Sequence, residues 1–243
     1  MTFAQVIGQQ VVKERLKQLA ASDRVPHALL FTGPEGCGKL PLALAFAQRL
    51  LCKQPTAEGD ACGTCPACRM VQHQAHPDLH FVFPVIKPSG SSSEITSDYY
   101  LKEWREQLRR TLYFDRQDWL KVMGVEKQQS QIPVAESDNI LRKLSLTASQ
   151  GGYKVMIIWL PEQMNVQTAN KLLKILEEPP RQTVFLLVCE QPERLLATIL
   201  SRTQRVDIPP LSTDDVASAL VEQQGLQPDD ARRIARQSGG NFI

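Results

Sequence analysis

The stretch that most constrains the fold is Gly33-Pro34-Glu35-Gly36-Cys37-Gly38-Lys39-Leu40. It lies between an apolar run, Ala28-Leu29-Leu30-Phe31, and a helical run from Leu42 to Leu51. A buried strand, a glycine-rich loop and a helix in that order aim backbone N–H groups and a helix N-terminus at a phosphate. The spacing G-x-x-x-x-G-K is that of a phosphate-binding loop. The position after the lysine should be Ser or Thr, whose hydroxyl ligates Mg²⁺; here it is Leu40, which cannot. Gly33, Gly36, Gly38 and Lys39 are therefore expected to keep the shape of a phosphate cradle that holds nucleotide weakly or not at all.

Further apolar runs repeat the strand signal. Lys154 to Trp159 and Val184 to Cys189 read as strands buried on both faces, with shorter ones in His76 to Phe83 and Arg205 to Ile208. Helical spacing covers residues 9–21 (Val12, Leu16, Leu19, Ala20) and Val134 to Leu146, with Ile140, Leu141 and Leu144 inward. It returns in Gln167 to Glu177, with Ala169, Leu172, Leu173 and Leu176 on one face, and in Leu195 to Leu200. Pro179 disfavours helical geometry in the residue before it, so the helix from Gln167 must stop at Glu178. Breaks fall at Ser22 to Pro26 and at Gly151-Gly152. Strands alternating with helices predict an α/β fold, a doubly wound parallel sheet with the loop at the ligand-binding end of its strand.

Two regions depart from that alternation. Pro88 to Ser93, rich in serine, opens an insertion over 86–130 in which Leu101, Trp104, Leu108 and Leu112 fall at helical spacing, followed by Trp119, Leu120 and Met123. Its eight Lys and Arg against seven Asp and Glu make no phosphate-binding patch, so it is expected to pack on its own domain or on a partner. After Pro209-Pro210, Thr213 to Gln224 (N-capped by Ser212) and Pro228 to Gln237 predict a small all-helical unit.

Cys52, Cys62, Cys65 and Cys68 form C-x9-C-x2-C-x2-C with turn formers between them. Four thiolates so spaced suit tetrahedral Zn²⁺, and a site closed by four cysteines has no open position for catalysis. Of the 243 residues, 42% are hydrophobic and 22% charged, with a net charge of +2. No apolar run approaches the roughly 20 residues of a membrane span, and the N-terminus lacks the basic start and apolar core of a secretory signal. A cytoplasmic location is expected, where cysteines are metal ligands or, like Cys37 and Cys189, buried thiols. Only Lys53 and Arg69 flank the cysteine set, too little charge for a zinc-dependent DNA-binding module.

Asn170-Lys171-Leu172-Leu173-Lys174-Ile175-Leu176-Glu177-Glu178-Pro179-Pro180 closely resembles the N-A-L-L-K-x-L-E-E-P-P signature of bacterial clamp-loader subunits, AAA+ proteins of the DNA polymerase III holoenzyme. Ile199 to Thr203 resembles their S-R-C motif, and His27 to Phe31 with the four-cysteine insertion also looks like this family. The resemblance implies an AAA+ P-loop domain over 1–208, with a zinc module at 52–70 and the 86–130 insertion. A helical lid domain would follow over 209–243, cut short, with the C-terminal collar domain absent. Hydrolysis in this family needs an Asp-Glu pair closing the third strand, and a gapless count places it at Trp159 and Leu160, which can neither bind metal nor polarise water. The polar sensor falls at Cys189-Glu190, and the lid's sensor arginine near Phe242.

These departures point to the delta-prime type, which does not hydrolyse ATP, rather than to an active gamma/tau-type ATPase. The resemblance implies that Arg202, with Ser201 beside it, reaches into a neighbour's ATP site as an arginine finger. It implies gamma/tau and delta partners in a hetero-pentamer that loads the sliding clamp onto primer-template DNA. Structural zinc is the implied cofactor, and ATP is not expected to be one. Glu177 and Glu178, at a helix end before two prolines, are expected to be structural rather than general bases.

Overall fold

The computed structural model describes residues 1–243 except Asp23, Ser89, Ser91 to Ser93, Glu126, Lys127, Thr147 and Gly151. Most of the serine-rich opening, Gly151 of the expected glycine turn and Asp23 of the first expected break thus lie outside the described residues.

The chain enters through a short 3-10 turn, Phe3–Gln5, and α1 (Gln10–Ala21), then forms β1 (Ala28–Thr32) and α2 (Lys39–Leu51). The cysteine segment carries α3 (Pro66–Gln72) and leads to β2 (Leu79–Val82). The insertion forms α4 (Leu101–Arg110) and α5 (Arg116–Val122). Then come α6 (Ala135–Ser145), β3 (Lys154–Trp159), α7 (Val166–Glu177), β4 (Thr183–Cys189), α8 (Ala197–Leu200) and β5 (Gln204–Asp207). Two helices, α9 (Thr213–Gln224) and α10 (Pro228–Ser238), follow.

The five strands form one parallel sheet in the order β2-β3-β4-β1-β5. Every residue of β1, β3 and β4 is buried, as apolar runs covered on both faces require. The period of two sorts their side chains into two cores. Leu29, Phe31, Val155, Ile157, Val184 and Leu186 face α1, α2, α4 and α5. Leu30, Met156, Ile158, Phe185 and Leu187 face α6, α7 and α8. A third apolar cluster joins α9 to α10 through Val216, Leu220, Ala231 and Ala235. Ser212 caps α9 by accepting the Asp215 N–H at 3.1 Å, and Gly239 ends α10 with φ 60°.

Several expectations need correcting. Leu141 is 48% exposed rather than inward. It lies about 100° around α6 from Ile140, off the stripe that Ile140 and Leu144 press onto the sheet. Helix α2 starts at Lys39, three residues before Leu42, because Gly38 turns the chain directly into it at φ 94°. Leu112 falls beyond α4. Of the two alternatives for the insertion, packing on its own domain is the one observed. Trp104 of α4 stacks on Phe83 at 4.2 Å between ring centroids and meets Trp119 and Trp159 edge-on or tilted at 5.1 and 5.3 Å.

Candidate functional site

Five residues after Ala28 opens β1, the chain turns out of the sheet at its C-terminal edge, and Gly36 (φ 68°) and Gly38 (φ 94°) set the curvature of the loop. The loop is already occupied by the protein itself. Lys39 is 5% exposed, and its Nζ donates to the carbonyls of Gly33 at 3.0 Å and Pro34 at 2.6 Å, with the Glu190 carboxylate 3.8 Å away. The Phe242 N–H donates to the Gly36 carbonyl, and a side chain at Gly36 would collide with Asn241. Gln9 Nε2 reaches the Cys37 carbonyl at 3.0 Å and the Pro209 carbonyl at 2.7 Å, tying the loop to α1 and to the chain after β5.

The recess beside Gly36 and Gly38 is lined in part by the insertion. Leu112, Tyr113 and Phe114, the link between α4 and α5, line the recess together with Gly36, Gly38, Lys39, Leu40, Trp159 and Glu190. What remains is a cavity of about 20 Å³, room for about one water. Tyr113 is held there by the Ile7 N–H, which donates to its hydroxyl at 3.3 Å, and by its ring against Phe242 at 5.0 Å. Burial pushes its phenol up from the ordinary value. Phe114 packs on Trp159 at 5.2 Å.

Of the four positions where the family's catalytic groups were expected, Leu40 and Trp159 line this recess, and Leu160 and Cys189 do not. Leu40, Trp159 and Leu160 are buried, and Cys189 is a buried thiol whose pKa burial raises. Glu162, two residues past Leu160, turns under the next strand end, where its Oε1 accepts the N–H groups of Glu190 and Gln191 at 2.8 and 3.1 Å. Glu190, at the expected sensor position, is raised to about 7, chiefly by desolvation, against the lowering effect of Lys39. The C-terminal segment places Phe242, near the expected lid-arginine position, against Tyr113. Tyr113, Phe114 and the Lys39–Glu190 pair were not foreseen from sequence. The signal for the aromatic pair was slight: two rings in a link of non-helical spacing.

At the other end of the sheet, Arg202 sits two residues before β5, whose first residue pairs with Leu29 near the start of β1. The strand length, on the order of 15 Å, separates it from the chain's own phosphate loop. Its Nη1 donates to the Thr198 carbonyl at 3.1 Å and to Ser201 Oγ at 3.3 Å, and its Nη2 lies 2.6 Å from Glu177 Oε1. Arg205 pairs instead with Asp207 at 2.6 Å, and Arg194 with Gln191 at 3.0 Å.

The four cysteines come together between α2 and α3. Their sulfurs lie within 4.8 Å of one another, with Cys52–Cys62 at 3.6 Å and Cys62–Cys68 at 3.9 Å. Tetrahedral zinc–thiolate bonds of about 2.3 Å place sulfurs about 3.8 Å apart, so the set fits a bound metal ion. Backbone N–H groups of Cys62, Cys65 and Cys68 point at the sulfurs of Cys52, Cys62 and Cys65 at 3.3–3.5 Å. The N–H groups of Thr64 and Cys65 bring the Cys62 thiol down to about 6. Asp60 fastens this module to the start of the fold by accepting the N–H groups of Phe3 and Ala4 at 3.1 and 3.0 Å.

A parallel sheet wound with helices on both faces, with a glycine loop leaving its first strand, defines a P-loop module. The same fold is found in a RuvB mutant of Thermotoga maritima, 15% identical, at a TM-score of 0.57 over 99% of this chain and 60% of that one. More specifically, the chain belongs to the family described as DNA polymerase III, delta subunit, whose family model matches residues 8–212. It is 32% identical over 227 residues to DNA polymerase III subunit delta' of Bacillus subtilis, covering 93% of this chain and 55% of that protein. To the subunit delta' of Pseudomonas aeruginosa it is 37% identical over 185 residues, 76% of this chain and 44% of that one. The chain thus spans about half the length of these relatives. Among the described residues no helix is long and apolar enough to cross a membrane.

Proposed function

We propose that this chain acts as a delta-prime type subunit of the bacterial DNA polymerase III clamp loader, an AAA+ member that hydrolyses no ATP itself. The observation that carries this reading is the recess at the phosphate loop, reduced to about 20 Å³ by Leu112, Tyr113 and Phe114. Loss of the metal-binding and water-orienting groups at Leu40, Trp159 and Leu160 removes what phosphoryl transfer needs. Gly33, Gly36, Gly38 and Lys39 then persist as a structural loop whose lysine is satisfied by its own carbonyls.

In this reading residues 1–208 form the AAA+ domain, with the cysteine module at 52–70 and the insertion at 86–130, and 209–243 belong to the helical lid. The four cysteines hold Zn²⁺, which when bound cross-links α2 to α3. The subunit works in the cytoplasm, in a ring with gamma/tau and delta subunits, toward loading the sliding clamp on primer-template DNA. Arg202 serves a gamma/tau neighbour in trans, with Ser201 beside it. Its place at the end of the sheet opposite its own loop, with the side chain 35% exposed, supports that role. Loading draws its energy from ATP bound in the other subunits.

Calorimetric titration of the chain with ATP, with and without Mg²⁺, tests the first half: no binding in the micromolar range is expected. Tight Mg²⁺-dependent binding with turnover would instead mark an active gamma/tau-type ATPase. Arg202→Ala tests the second half: it leaves the chain folded and cuts the ATPase rate of the reconstituted complex, and an unchanged rate rules out the finger.

A further inference from the structure

We infer that Glu177 is a positioning residue for Arg202, holding the guanidinium so that its free Nε–H faces a phosphate presented from outside the chain. The inference rests on the reading of Arg202 as a finger. Arg202 offers five N–H donors in a rigid plane. Two of them, on Nη1, go to the Thr198 carbonyl and Ser201 Oγ, while Nη2 forms an ion pair with Glu177 Oε1 at 2.6 Å. The Nε–H has no described acceptor, which leaves a charged donor for a phosphate oxygen.

The three acceptors are not equivalent. Thr198 and Ser201 lie four residues and one residue from Arg202 in the same short turn, so they move with it. Glu177 belongs to α7 and is the contact that fixes the guanidinium relative to the rest of the sheet. Its position argues against a role in helix stability. Glu177 is the last residue of α7, where the helix dipole disfavours a carboxylate. The pair is 35% and 43% exposed, so it contributes little to folding. Glu178, one residue on, makes no ion pair among the described residues. A carboxylate kept at an unfavourable helix end and aimed at one guanidinium is preorganisation: the plane of Arg202 is set before the neighbour's phosphate arrives.

The test measures kcat and KM for ATP in the reconstituted complex carrying the wild-type chain, Arg202→Ala, Glu177→Gln or the double variant. Glu177→Gln is isosteric and surface-lying, and an unchanged Tm verifies its fold. It should carry kcat at least halfway from the wild-type value to that of Arg202→Ala, with KM unaltered, and should lower kcat no further in the Arg202→Ala background. A wild-type kcat for Glu177→Gln beside a slow Arg202→Ala overturns the positioning role and leaves the finger standing. An equal loss in both backgrounds also overturns it, because Glu177 would then act without Arg202. A wild-type rate for Arg202→Ala removes the finger itself, a different failure.

Discussion

Lys39 shows at the scale of one residue how a motif can keep its letters and change its work. A phosphate-loop lysine ordinarily waits for a phosphate; here its three protons are directed at the Gly33 and Pro34 carbonyls and toward Glu190. Desolvation raises Glu190 to about 7, with Glu162, Glu35 and Asp115 adding repulsion against the attraction of Lys39. A carboxyl whose folded pKa lies above its unfolded value binds more protons folded than unfolded between the two. Stability contributed by this group is therefore present at acid pH and lost as pH rises from about 4.5 through about 7. Glu190→Gln should remove that decline and stabilise the chain at pH 8 by on the order of 1–3 kcal/mol. Thermal melts from pH 5 to 8 on both proteins check it; parallel curves would show that folding does not desolvate Glu190.

At the scale of elements, the insertion is what turns a degenerate loop into a closed one. Helices α4 and α5 are held by a cluster of rings, in which Trp104 and Trp119 are both fully buried against Phe83. Trp119 Nε1 donates to the Pro84 carbonyl at 2.8 Å, whereas Trp104 Nε1 has no partner among the described residues. Trp104→Ala should cost about 3–5 kcal/mol, the range for emptying a buried aromatic site. Trp104→Phe should cost clearly less, since it keeps the stack on Phe83 and removes a buried donor that is already unsatisfied. Urea unfolding of the two variants gives the comparison, and equal losses would mean that the indole N–H is paired after all. Much of this element was legible: the spacing of Leu101, Trp104 and Leu108 gives the helix. Its target was not, because a helical stripe says that a face is buried and leaves open against what.

At the scale of the whole molecule, the cysteine module and the start of the chain depend on each other. Asp60 lies between Cys52 and Cys62 and anchors the 3-10 turn whose Phe3 is fully buried beside α2. If Zn²⁺ is the ligand of the four sulfurs, elemental analysis should find one per chain. Its removal by a chelator should then lower Tm and open residues 52–68 to protease, with recovery on adding zinc back. An unchanged melt after complete metal removal would show that the module holds its shape through Asp60 and its backbone bonds alone.

What the amino-acid order determined by itself is local or periodic. Runs of apolar residues settle the bounds of β3 and place β4 to within one residue, Pro179 stops α7, and the cysteine spacing marks a metal-binding set, since each depends on neighbours a few residues apart. The loop at Gly33 to Lys39 and its missing hydroxyl at Leu40 belong to the same class. The tertiary structure alone decided that Leu141 faces outward, that Tyr113 enters the recess of a loop about 75 positions earlier in the chain, and that Glu177 rather than a solvent shell meets Arg202. Contacts between residues so far apart follow from how whole helices dock on the sheet, a packing of shapes to which every element contributes and which no short stretch encodes.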